Sequence, residues 1–110
     1  MHELSITRNI VAIVADKAAG RTVRSVRLTV GKLAGVELQA VRFCFDMCAE
    51  EAGIGGAELI VDEVEGRGRC QECGEAVALD SLIGICPCPK RAKLVIEAGE
   101  ELLVKEMEVV

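Results

Sequence analysis

The feature that most constrains this chain is a short segment with two close pairs of cysteines. Cys70 and Cys73 form a C-x-x-C pair, and Cys86 and Cys88 form a C-x-C pair about a dozen residues later. A segment of roughly 25 residues, from Cys70 to Leu94, buries too little apolar surface to offset its conformational entropy. A bound metal ion would supply the missing folding energy. The pattern therefore predicts a structural zinc site with four thiolate ligands and no open position for catalysis.

Two other states of these cysteines stay open. The thiols could be reduced and unligated, or Cys70 and Cys73 could form a redox-active dithiol. The helix N-terminus that would activate such a dithiol is not evident around Cys70. The second pair also departs from the usual C-x-x-C form, because only Pro87 separates its two cysteines. This shorter spacing removes one residue of the usual metal-binding turn, and zinc remains the favoured interpretation.

Composition narrows the class of protein. The chain has 110 residues, of which 51% are hydrophobic and only 2% aromatic, so we expect a compact domain with an aliphatic core. The net charge of −5 and the lack of Trp and Tyr argue against nucleic-acid and membrane-surface partners. No apolar run approaches the roughly 20 residues that cross a bilayer, and the N-terminus lacks a signal-peptide layout. We therefore expect a cytoplasmic protein, whose cysteines bind metal or do redox chemistry rather than form disulfides.

The rest of the chain alternates helical and strand patterns. Apolar residues at helical spacing predict one helix over Glu3–Ala19, before Gly20, and a second helix over roughly Glu37–Ala52. Period-two alternation predicts a strand within residues 23–33. Two further apolar stretches, at 57–65 and 100–110, are interpreted as strands.

These patterns predict an α/β (α+β) domain that is interrupted by the cysteine segment. The simplest arrangement is a three-stranded mixed sheet with two helices on it, plus an inserted zinc-ribbon-like module. We place the α/β domain at residues 1–66 and 97–110, and the zinc-binding module at residues 67–96. The glycine- and charge-rich stretch Gly66–Cys70 is interpreted as a hinge.

Cys44 and Cys48 pose a separate question. They are spaced i, i+4 on the second predicted helix, so both can face the same direction. Two thiolates could bind a metal, but free cysteine also packs as a small hydrophobe, and these two lie among apolar residues. We favour buried packing for both.

His2 is the only histidine of the chain, and its position allows a chelate that an internal histidine cannot form. The α-amine of Met1, the backbone nitrogen of His2 and its imidazole can enclose one cation in fused rings. Such a nitrogen-rich, tetragonal or square-planar set suits Ni(II) or Cu(II) better than Zn(II). Glu3 could add an oxygen ligand or accept a hydrogen bond from the imidazole. An ordinary exposed histidine near a helix start is the alternative, and position alone leaves it open.

Together these features resemble one protein family. The segments MHELSI, VRLTVGKLAGVE, AVRFCFD, CQECG, CPC and GEELLVKEMEV are similar to the HypA/HybF nickel metallochaperones of hydrogenase and urease maturation, over essentially the whole chain. The resemblance implies a protein that is not an enzyme, that delivers Ni(II) during maturation of [NiFe]-hydrogenase, and that holds a structural Zn(II). It implies nickel binding by Met1, His2 and Glu3, and zinc binding by the cysteine set Cys70, Cys73, Cys86 and Cys88.

The same resemblance implies the partners. They are a GTP-hydrolysing nickel-insertion accessory protein and the precursor of the hydrogenase large subunit, with no nucleic acid and no membrane. Some members also serve urease, and a homodimer is left open. The chain departs from the family pattern where Pro89 and Lys90 follow Cys88, because a Gly-Ser commonly follows a C-x-C pair there. This departure concerns the shape of the second zinc turn.

Two functions from other classes also remain. One is a zinc-ribbon adaptor that binds another protein without delivering nickel. The other, less favoured, is a C-x-x-C dithiol redox protein. No Ser-His-Asp set, phosphate-binding loop or carboxylate pair stands out in the sequence, so we do not expect an enzyme.

Overall fold

The computed structural model describes residues 2–110 and contains two helices and six strands in that range. The helices are α1 (Glu3–Ala18) and α2 (Leu38–Glu51), and the strands are β1 (Val23–Gly31), β2 (Glu58–Val64), β3 (Gly66–Cys70), β4 (Ala76–Leu79), β5 (Leu94–Ala98) and β6 (Leu102–Val109). The strands form two three-stranded sheets, ordered β2-β1-β6 and β4-β3-β5. The chain divides into two compact units: unit 1 is residues 2–29, 35–62 and 103–110, and unit 2 is residues 30–34 and 63–102.

The sheet β2-β1-β6 is mixed, as the sequence predicts. The N–H of Val110 donates to the carbonyl of Thr22 at 2.9 Å, which joins the end of β6 to the start of β1 and makes these two strands antiparallel. The N–H of Lys32 donates to the carbonyl of Val64 at 2.9 Å, which joins the ends of β1 and β2 and makes these two strands parallel. The predicted α+β arrangement of a three-stranded mixed sheet and two helices is therefore confirmed.

Unit 1 has an aliphatic core. In β1, Val26 and Leu28 are fully buried while Arg27 between them is partly exposed, which is the period-two pattern of a half-buried strand. Each helix buries a single face, with Ile10, Val11, Val14 and Ala18 from α1 and Val41, Phe45, Cys48 and Ala49 from α2. Burial of these side chains supplies the main stabilising free energy of the unit.

Local signals set the ends of both helices. After α1, Ala19 and Gly20 adopt left-handed conformations with φ of 50° and 84°, and the Ala19 N–H donates to the carbonyl of Ala15 at 3.2 Å. Before α2, the carboxylate of Glu37 accepts a hydrogen bond from the Gln39 N–H at 3.1 Å and caps the helix. Among the described residues, neither helix has the length and apolar character needed to cross a membrane.

Unit 2 is built on the sheet β4-β3-β5. Strand β3 pairs antiparallel with both neighbours, so that Gly66 lies opposite Leu79 and Cys70 lies opposite Leu94. The buried core of this unit consists of Leu33, Cys70, Leu79, Cys86 and Leu94. Two of these five residues are cysteines, so thiols occupy positions that aliphatic side chains would fill in a larger domain.

The stretch Gly66–Cys70 is the central strand of this sheet, and its interpretation as a hinge is wrong. Gly66, Gly68 and Cys70 are buried, whereas Arg67 and Arg69 are exposed. A Cβ on Gly68 would lie 2.8 Å from Cδ1 of Leu79 and 3.0 Å from Cβ of Leu94. Glycine is required here because neighbouring side chains close over the strand, and the second sheet was not foreseen.

We predict that the two aromatic residues of the chain contribute very differently to stability. Phe45 is 1% exposed and Phe43, two positions earlier on the same helix, is 82% exposed. Phe45→Ala should lower the free energy of unfolding by about 3–5 kcal/mol, because it leaves a cavity in the core. Phe43→Ala should change it by less than about 0.5 kcal/mol. Urea unfolding followed by far-UV circular dichroism measures both, and equal losses would contradict the described packing.

Candidate metal centres

The four cysteines of unit 2 form one cluster. Their sulfur atoms all lie within 4.8 Å of one another, with 3.8 Å between the sulfurs of Cys70 and Cys88 and 3.6 Å between those of Cys73 and Cys86. Sulfurs placed tetrahedrally at a Zn–S distance of about 2.3 Å are about 3.8 Å apart. The cluster therefore fits a four-thiolate zinc site, and a closed shell of this kind leaves no position for a substrate.

The first turn of the cluster follows β3. Cys70 is buried at the end of this strand and Cys73 is exposed. The N–H of Gly74, which has a left-handed φ of 78°, donates to the carbonyl of Cys70 at 2.9 Å. The N–H of Cys73 donates to the sulfur of Cys70 at 3.4 Å. This tight turn brings both thiols to the same side.

The second turn closes in spite of its shorter C-x-C spacing. The N–H of Cys86 donates to the carbonyl of Ala92, and the N–H of Arg91 donates to the carbonyl of Cys88, each at 2.9 Å. Arg91 adopts a left-handed conformation with φ of 49°, which reverses the chain after the second pair. Cys88 is half-buried and its sulfur reaches the cluster, so the departure at Pro89 does not remove it from the set.

The surroundings shift the pKa values of the cysteine thiols in different directions. The backbone N–H of Cys73 lowers the pKa of the Cys70 thiol. Although burial acts in the opposite direction, the Cys86 thiol and the amides after the second pair lower the pKa of Cys88 to about 7. Although the Cys88 amide acts in the opposite direction, burial and the neighbouring thiols raise the pKa of Cys86 to about 12. A metal ion must displace a proton from such a thiol, so affinity for zinc should rise with pH.

Arg69 fastens the first turn to the neighbouring strand. Its Nε and Nη2 donate to the carboxylate of Glu97 on β5 at 2.7 and 3.0 Å, and its Nη1 donates to the carbonyl of Gly74 at 2.6 Å. Bidentate pairing of arginine with a carboxylate fixes the geometry of the guanidinium. Arg69 therefore holds the turn that carries Cys70 and Cys73 against β5. Sequence reasoning missed this contact, because no local spacing links residues that meet only across a sheet.

The segment predicted to bind nickel lies at the start of α1. Met1 is outside the described residues. His2 is exposed, and its carbonyl accepts a hydrogen bond from the Ile6 N–H at 3.0 Å. Glu3 is the first residue of α1, and its Oε2 accepts a hydrogen bond from the Glu37 N–H at 3.1 Å, which lowers the pKa of Glu3. The structure thus places an accessible imidazole beside a helical turn that is held in place.

The two cysteines of α2 have different environments. Cys48 is buried with 3% exposure in the core of unit 1, whereas Cys44 is half-buried. Cys48 packs as a small hydrophobe, as favoured from the sequence, whereas the full burial favoured for Cys44 is wrong.

Comparison with known proteins identifies the family of this chain. A family model described as "Hydrogenase/urease nickel incorporation, metallochaperone, hypA" matches residues 1–109. The chain belongs to the HypA family. The hydrogenase maturation factors HypA of Nostoc punctiforme and Crocosphaera subtropica are 46% and 45% identical to it over 109 residues, covering 99% of this chain and 96% of each relative. That of Geobacter metallireducens is 40% identical and covers 99% of both chains.

A solved HypA structure shares the fold. The solution structure of the Ni metallochaperone HypA from Helicobacter pylori matches with a TM-score of 0.70 at 19% identity, over 100% of this chain and 98% of that one. The family resemblance of the sequence is confirmed. HypA proteins are metallochaperones and maturation factors rather than enzymes, which confirms that prediction for this chain.

We predict that Arg69→Ala speeds the release of zinc. Without the guanidinium, the first turn loses its bonds to Glu97 and Gly74, and zinc should transfer to a chromophoric chelator roughly three- to tenfold faster, since these charged contacts are partly exposed. Arg67→Ala is the matched control, because Arg67 is an exposed arginine two positions earlier on the same strand. Equal release rates in the two variants would contradict the role of Arg69.

Proposed function

We propose that this protein binds Ni(II) at its N-terminal segment and delivers it during maturation of [NiFe]-hydrogenase. The observation that carries the proposal is the exposed imidazole of His2, directly before an anchored helix in a HypA-family chain. Met1 and His2 supply nitrogen ligands, and Glu3 contributes to the same nickel site. A nitrogen-rich set of this kind suits Ni(II).

In this proposal the second metal is structural. Zn(II) is held by Cys70, Cys73, Cys86 and Cys88, whose spacing fits a closed tetrahedral shell. Such an ion supplies folding free energy to its module and takes no part in nickel transfer chemistry. The nickel-binding domain then comprises residues 1–66 and 97–110, and the zinc-binding module comprises residues 67–96.

A site at the end of a chain also explains how a tightly bound ion can leave. Its ligands come from the terminus and one side chain, so fraying of the first helical turn removes them one after another. Transfer then depends on access by the receiving protein rather than on weak binding. Selectivity comes from coordination geometry and metal supply, because nitrogen sites bind copper more tightly than nickel.

The proposed receiving proteins are a GTP-hydrolysing nickel-insertion accessory protein and the precursor of the hydrogenase large subunit, acting in the cytoplasm. The net charge of −5 argues against nucleic acid and membrane surfaces as alternatives.

Nickel titration of zinc-loaded protein tests the proposal. His2→Ala should weaken nickel binding more than about 100-fold, since losing a ligand costs more than the 10–100-fold typical of losing a group that only orients one. Ser5→Ala, an exposed change in the same turn, should leave the affinity unchanged. Equal and tight binding by wild type and His2→Ala would overturn nickel delivery from this segment and would favour the zinc-ribbon adaptor.

A further inference from the structure

The carboxylate of Glu3 is hydrogen-bonded to the start of α2. Its Oε2 accepts a hydrogen bond from the N–H of Glu37 at 3.1 Å, across 34 positions of sequence. Glu37 is the residue immediately before α2. The contact therefore ties the first residue of α1 to the N-terminal cap of α2 within unit 1.

The start of α2 has no side chain of its own that accepts from the Glu37 N–H. In many helices a Glu or Gln at the third helical position accepts a hydrogen bond from the N–H of the capping residue. In α2 that position is Ala40, which has no acceptor, and the carboxylate of Glu37 is itself used by the Gln39 N–H at 3.1 Å. Glu3 thus supplies, from another helix, the group that α2 lacks.

Glu3 is held through its backbone as well. The hydroxyl of Thr7, which is fully buried, donates to the carbonyl of Glu3 at 2.7 Å. The adjoining carbonyl of His2 accepts the Ile6 N–H. The backbone carbonyls of both His2 and Glu3 are therefore held by hydrogen bonds from the first turn of α1.

We propose that Glu3 is a positioning residue, whose carboxylate holds the first turn of α1 against α2 and so orients His2 toward the metal. Oε2 holds this turn by accepting from the Glu37 N–H, and this role does not require either carboxylate oxygen to bind the metal. The inference rests on nickel binding at the N-terminal segment and defines what Glu3 does there.

Two substitutions of Glu3 separate positioning from ligation. Glu3→Gln keeps a carbonyl oxygen that can accept from Glu37 but removes the negative charge, whereas Glu3→Ala removes the acceptor. Nickel affinity of zinc-loaded protein should stay within about threefold of wild type in Glu3→Gln and fall about tenfold in Glu3→Ala. Asp16→Ala, which removes an exposed carboxylate elsewhere on α1, should have no effect. Equal losses in Glu3→Gln and Glu3→Ala would show that the anionic oxygen binds the metal and would overturn positioning.

Substitution of Glu37, whose N–H is the donor of this hydrogen bond, gives a second test. Glu37→Ala removes the side-chain cap but keeps the N–H, whereas Glu37→Pro removes both, and the native φ of −84° is close to the value that proline imposes. Glu3→Ala should weaken nickel binding about tenfold in the Glu37→Ala background and add no loss in the Glu37→Pro background. The same loss in both backgrounds would overturn the inference. If Glu37→Pro does not fold, as judged by circular dichroism, the comparison of Glu3→Gln with Glu3→Ala decides.

Amide hydrogen exchange in nickel-free protein reports the tether itself. The Ile6 amide should exchange about tenfold faster in Glu3→Ala than in wild type, and at the wild-type rate in Glu3→Gln. Unchanged exchange in Glu3→Ala would overturn the tether. Failure of the proposed function is distinguishable, because it would show as equal nickel binding in wild type and His2→Ala, whatever the exchange rates.

Discussion

Unit 2 depends on the convergence of four sulfur atoms. Its buried core contains only three leucines besides Cys70 and Cys86, and apolar burial on this scale is too small to order the 45 residues of the unit. A four-thiolate zinc ion has the geometry that the sulfur spacing fits, and when bound it would contribute folding free energy directly. The hydrogen bonds of Arg69 to Glu97 and Gly74 add to the hold on the turn that carries Cys70 and Cys73. Removing zinc should therefore affect this unit far more than the aliphatic core of unit 1.

Unit 1 holds the segment that carries His2 in place without burying its imidazole. Hydrogen bonds from Ile6, Thr7 and Glu37 fix the backbone and carboxylate around His2 and Glu3, while the imidazole stays exposed. Restricting a ligand in this way reduces the entropy lost on metal binding. The same segment lies at a helix end, where opening is least costly. In the proposed function, binding and release of nickel would both use this segment.

The sequence predicted the parts that depend on local patterns. Both helices end within one residue of their predicted bounds, because amphipathic spacing, Gly20 and the residues around Glu37 are local signals. The cysteine cluster was predictable because spacing alone implies convergence. Strand β3 was missed because the sequence does not distinguish a glycine that leaves room for neighbouring side chains from a glycine that allows the backbone to bend. The Glu3–Glu37 and Arg69–Glu97 contacts join distant segments, which no periodicity within one sequence reveals.

The central claim is that nickel is bound at the chain end that carries His2. Adding four glycines ahead of Met1 moves the α-amine too far from His2 for a shared set of fused chelate rings while every side chain is kept, so it tests this claim most directly. Nickel titration of the zinc-loaded protein should then show affinity reduced by more than about tenfold, with circular dichroism and zinc content unchanged. The same affinity with and without the added glycines would contradict the account.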